Sequence, residues 1–247
     1  MIPAWLHLLS ISALVLGFAT CIAITIDEIT HPQRMWIMNI VWPIAALFGT
    51  LLTAGAYFRY GRRAATGATG ATMNMKDVDH EPSDKIRIPF AVMVGKGTLH
   101  CGSGCALGDI CAEWLAFTFP VVAVWFGWHR IFADKMFAVW VLDYIFAFAI
   151  GIAFQYFTIV PMRHLKTAEG LFAAIKADAL SLTAWQIGMY GFMAFANFYL
   201  FHRVLATSLH VDSIEFWFMM QLAMLCGFVT SYPVNWWLLR SGIKEMM

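Results

Sequence analysis

Six apolar stretches of about 20 residues, the length that crosses roughly 30 Å of hydrocarbon, set the terms for everything else in this chain. They are Trp5–Ile26, Trp36–Phe58, Gly104–Trp128, Met136–Val160, Ala179–Phe201 and Ile214–Leu239. Inside a bilayer each backbone N–H and C=O must be paired within the protein, so only helices and closed barrels cross it, and uninterrupted runs of this length select helices. The expected fold is therefore all-α, a polytopic transmembrane bundle of six spans with the lipid bilayer as its main partner. Composition agrees: 61% of the 247 residues are hydrophobic and 13% charged, where soluble domains carry about 25% charge. A net charge of +1 gives no basic surface for nucleic acid.

No Lys or Arg precedes Arg34, so the first stretch lacks the basic start of a signal peptide and reads as a retained helix. Basic residues set the orientation. Twelve lie in the 59–99 loop, the 161–178 connection and the segment after Leu239, against four (Arg34, Arg130, Lys135 and Arg203) on the other side. The positive-inside rule then predicts a multi-pass protein of the cytoplasmic (inner) membrane with both termini cytoplasmic.

Three regions follow: a two-helix hairpin over 1–58, a flexible cytoplasmic loop over 59–88 containing the small-residue run Ala64–Thr72, and a four-span core over 89–247. Within the core, Gly97, Ala106, Leu107 and Glu113 match Gly170, Ala179, Leu180 and Gln186 at one offset, and Gly151 and Tyr156 match Gly227 and Tyr232 at another. This suggests a duplicated two-span unit; chance matching between apolar sequences is the alternative.

The chemistry concentrates at the entrance to the third stretch. His100, Cys101, Cys105, Asp109 and Glu113 stand close together, and from Cys101 onward the spacing is i+4, one drifting stripe on a helix. Ionisable groups inside hydrocarbon are costly and point to function. Thiols and imidazole suit a soft or borderline cation, so His100, Cys101 and Cys105 are candidate metal ligands, with copper as the candidate cofactor. Asp109 and Glu113, with Asp178 and Gln186 from the fifth span, are candidates for an ion or proton relay. Small-residue packing by the glycines and hydrogen-bond glue by the amides are the competing structural readings. The five cysteines give no disulfide framework.

The segments His100-Cys101-Gly-x-Gly-Cys105-x-Leu-Gly-Asp109, Pro161-Met162, Ala177-Asp178-x-Leu-Ser181 through Met189 and Tyr232-Pro-Val-Asn-Trp-Trp through Gly242-Ile-Lys-Glu resemble a prokaryotic membrane family catalogued only as a domain of unknown function. The resemblance runs from about Pro89 onward and implies an association with copper-handling proteins, including cupredoxin-like partners. The expected function is thus metal-cation handling, copper first, as a permease or membrane metal-binding component. The alternatives are a non-transporting subunit of a membrane redox complex, which would bring a redox partner, and a membrane-embedded thiol enzyme. A catalytic thiol needs a base and an oxyanion donor that the sequence does not reveal, so catalysis ranks last. Self-association into a homo-oligomer is open.

Overall fold

The computed structural model describes residues 2–33, 35–62, 89–163 and 165–244. Apart from its first few residues, the loop expected over 59–88 lies outside them. The elements are α1 (Ala4–Thr30), α2 (Met38–Ala56) continuing into a wider π-type turn (Tyr57–Gly61), α3 (Phe90–Thr118), the short α4 (Val121–Trp125), α5 (Lys135–Arg163), α6 (Thr167–Ala194) with a π-type extension (Phe195–Val204), and α7 (Ile214–Arg240). The fold is all-helical, with no strand among the described residues.

Four stretches, Ala4–Thr30, Met38–Gly61, Lys135–Pro161 and Ile214–Arg240, are long and apolar enough to cross a membrane. Exposed Trp5, Val15, Phe18, Ile22 and Ile26 turn α1 toward lipid. The polar helices α3 and α6 are just as long, with 29 and 28 residues. While α6 buries one face and leaves Phe172, Leu180 and Ile187 exposed, every residue of α3 from His100 to Ala106 is buried. Glycine permits this central position. A Cβ on Gly104 would stand 2.7 Å from the Gly151 Cα of α5, so the two backbones nearly touch.

The second expected span does not run straight. Over fifteen residues a helix rises about 22 Å, yet the Trp42 and Tyr57 rings lie 5.6 Å apart. The break is at Thr50, whose φ of 42° and ψ of −121° are not helical. Beyond it Thr53 Oγ1 reaches back to the Ala45 carbonyl at 3.2 Å, and the Tyr57 hydroxyl donates to Asp27 Oδ2 at 2.8 Å, near the end of α1. Gly49 sits beside the bend, where a Cβ would collide with the Thr53 side chain. Residues 38–61 therefore form a re-entrant hairpin that enters and leaves at one end of the bundle. Above its tip, Leu14, Phe18, Leu47, Trp114, Trp217 and Met224 wall an apolar cavity of about 340 Å³.

The packing of the helix ends bears on the expected six spans with both termini on one side. His7 at the start of α1 meets Glu215 at the start of α7, with Nδ1 and Oε1 2.5 Å apart. Phe90 at the start of α3 packs on Trp236, near the end of α7, with ring centroids 4.9 Å apart. The start of α1 and the end of α7 thus lie at opposite ends, called here the head end and the tail end. The helices α3–α5 and α6–α7 make two antiparallel pairs, both entering from the tail end, and these are the most extensive helix contacts in the bundle.

Candidate functional site

At the tail end, α7 stops and the chain turns back on itself. Gly242 adopts φ 69°, a left-handed conformation favouring glycine, while the N–H groups of Ile243 and Lys244 both bond to the Leu238 carbonyl. The turn sends the Lys244 side chain into the bundle, where it is completely buried. Its three N–H groups are shared among four acceptors within reach of Nζ: Asp178 Oδ1 at 2.5 Å, Asn235 Oδ1 at 2.8 Å, Cys101 Sγ at 2.9 Å and the Gly97 carbonyl at 3.4 Å.

These four acceptors come from three helices and are themselves braced. The Cys101 thiol donates to Asp178 Oδ1 at 2.9 Å and receives the Ser181 hydroxyl at 3.1 Å. Asn235 Nδ2 donates to Ser181 Oγ at 2.6 Å and to Ser231 Oγ at 3.0 Å. Burial alone would drive Lys244 toward its neutral form, but the Asp178 carboxylate and the neighbouring Cys101 hold it protonated beyond the ordinary lysine range.

Eight residues further along α3 and α6, about 12 Å toward the head end, lies a second polar layer. Gln186 Nε2 donates to Asp109 Oδ1 at 3.2 Å. Asp143 of α5 stands within electrostatic range of both Asp109 and Glu113. Asp109 Oδ2, both carboxyl oxygens of Asp143 and Gln186 Oε1 are buried with no hydrogen-bond partner among the described residues.

Glu113, one turn beyond Asp109, is 6% exposed. It borders a polar cavity of about 580 Å³ at the head end, shared with Asp134, Lys135, Asn197, His202 and His210. Lys135 stands at this mouth, its Nζ donating to the Ala116 carbonyl at 2.9 Å. Between the two layers the Trp185 indole is fully buried, and a Cβ on either Gly102 of α3 or Gly227 of α7 would collide with it. The Phe48 ring of the hairpin tip packs against its edge, centroids 5.7 Å apart.

The expected stripe is thus built: Cys101, Cys105, Asp109 and Glu113 are all buried on α3. Asp178 and Gln186 face it from α6, one in each layer. The expected ligand trio is not assembled. One residue along a helix turns the side chain by about 100°, and His100 packs toward Phe154 of α5, ring centroids 6.0 Å apart. Among the described residues no three His, Cys, Asp or Glu side chains are grouped to hold a metal ion, and an ammonium already lies against the Cys101 sulfur. Asp143 and Asn235, legible in the sequence only as polar residues within apolar stretches, complete the site together with Ser231 and Lys244, which sequence reasoning did not single out. The available signal was Gly242, a helix-stop residue just ahead of a lysine.

No curated protein and no solved structure matches the chain. A family model does, over residues 92–244, from the first turn of α3 to the lysine that closes the tail-end cluster. That is more than half of the sequence, and the chain belongs to the family described as a domain of unknown function, DUF4396.

Proposed function

We propose that this chain is an integral membrane permease that passes a cation or proton through the polar interior of α3, α5, α6 and α7. The path runs from the head-end cavity past Glu113 to Asp109, Asp143 and Gln186, and on to Asp178 at the tail end. The observation that carries this reading is the set of orphaned acceptors in the second layer. A buried polar atom left without a partner costs about 1–3 kcal/mol, and a transiting cation or proton supplies what Asp143 and Asp109 lack. Such groups in membrane helices mark ion pathways.

The tail end is assigned to the cytoplasm of the cell's inner membrane. With α1 running from head to tail, Arg34 joins the basic side, and the distribution becomes thirteen against three of the sixteen basic residues. The matching entry of the α3–α5 and α6–α7 pairs supports descent from a duplicated two-span unit.

Purified protein in liposomes should carry protons or small cations under an imposed gradient, and Glu113→Gln and Asp109→Asn should each abolish the flux without unfolding the protein. Flux no greater than in empty liposomes, across protons and the common monovalent and divalent cations, would remove the permease reading. Copper(I) as cargo is a second reading. It is favoured by one apolar core that holds Cys101 and Cys105 together with Met189, Met193, Met219, Met220 and Met224. Elemental analysis after equilibration with Cu(I) tests it, and no copper retained above a Cys101→Ser/Cys105→Ser variant would end it.

A further inference from the structure

Lys244 makes contacts that resemble those of a bound ion more than those of a tail residue. A carboxylate oxygen, an amide oxygen, a backbone carbonyl and a sulfur converge on its Nζ. Asp178, Asn235 and Cys101 are all fully buried. The surround is asymmetric as well, because Asp178 Oδ2 has no partner among the described residues, leaving acceptor capacity beyond what one lysine uses. The covalent tether is short: a four-residue return from Arg240 through the left-handed turn at Gly242.

We propose that Asp178, Asn235, Cys101 and the Gly97 carbonyl form a binding site for a small hydrogen-bonding cation of the primary-ammonium class, and that Lys244 is a tethered occupant that closes it. The proposal deepens the permease reading and rests on it for the role of the closure, which is that of a gate at the tail end of the path. An ammonium group donates in three directions from a compact centre, and these acceptors surround Nζ from α3, α6 and α7. A tethered group competes at an effective concentration that reaches the millimolar range for short linkers. A free cation therefore enters only when the tail withdraws. Vacating the site also uncovers Cys101, whose sulfur the lysine covers.

The test uses the full chain in detergent, with Lys244→Ala and methylammonium as the probe. The variant should unfold at lower temperature than the wild type and recover with rising methylammonium in a saturable way. Tetramethylammonium, which has no N–H to donate, should give no recovery at equal ionic strength. Alkylation of Cys101, read by mass spectrometry, should be at least tenfold faster in the variant and slowed by methylammonium. Equal effects of the two cations, or Cys101 alkylation as slow as in the wild type, would overturn the proposal. If Lys244→Ala does not fold, two glycines inserted after Gly242 keep the lysine and lengthen the tether. Cys101 alkylation should then rise severalfold, and an unchanged rate would equally overturn the site. Neither readout involves flux, so a permease that fails in liposomes and a cation site that fails to bind are separate results.

Discussion

Replacing Asp143 by alanine should make the protein more stable and inactive in the same step. Asp143 is completely buried, and neither carboxyl oxygen has a partner among the described residues. Relieving an unsatisfied buried polar group returns about 1–3 kcal/mol. The gap left by a carboxyl is far smaller than that of a leucine-to-alanine change, which costs about 2.7–5 kcal/mol, so a penalty on the order of 1 kcal/mol is deducted. The expected balance is a gain of about 1 kcal/mol, or roughly 2–4 °C in Tm for a chain of this size class. Asp143→Asn keeps two polar atoms in the same unpartnered position and should give none of that gain. Thermal unfolding in detergent measures stability, and liposome flux measures activity. A loss of 2 kcal/mol or more in Asp143→Ala would mean that the carboxyl is satisfied in the folded protein, and the orphan-acceptor reasoning would fall with it.

The buried pair at the tail end should behave in the opposite way. Asp178→Asn and Lys244→Met should each cost about 3–5 kcal/mol by leaving a charge without its partner, while the double variant recovers most of the loss; additive losses would refute the coupling. For the topology, single cysteines at His31 and Arg59 in a cysteine-free background should label from one side of the membrane and a cysteine at Trp5 from the other. Labelling of His31→Cys and Arg59→Cys from opposite sides would convert the hairpin into a crossing. Gly104→Ala forces a methyl against the Gly151 backbone and should cost about 1–3 kcal/mol by overpacking, seen as a lower Tm; an unchanged Tm would show that α3 and α5 have room to part.

The helical membrane character was legible from apolar run length, and the face of α3 that matters was legible from the i+4 spacing of Cys101, Cys105, Asp109 and Glu113. Spacing reports which residues share a helix face. It does not report which helices meet, so the convergence of Asp143, Asn235 and Ser231 on that face was hidden. Lys244 read as one more basic residue of the cytoplasmic side, because its burial depends on a turn made by Gly242 after the last apolar residue. Run length also cannot distinguish a helix that crosses from one that doubles back: residues 40–58 are largely apolar, and only a bend at Thr50 separates the two outcomes. The grouping of His100 with Cys101 failed for a reason the sequence did contain, since adjacent residues on a helix point apart.

The indole of Trp185 passes from α6 into sockets that Gly102 and Gly227 leave open in α3 and α7. It works as a dowel through three timbers: none of the three helices can slide along another unless the ring is first withdrawn, and Phe48 bears on its edge. Rocking of one helix pair against the other, the usual way for a repeat-built carrier to change the side it faces, would have to displace this ring. On the permease reading, an ion would pass through a frame that stays still, past side chains that turn and a tail proposed to lift, and turnover would be channel-like rather than the slow alternation of a carrier.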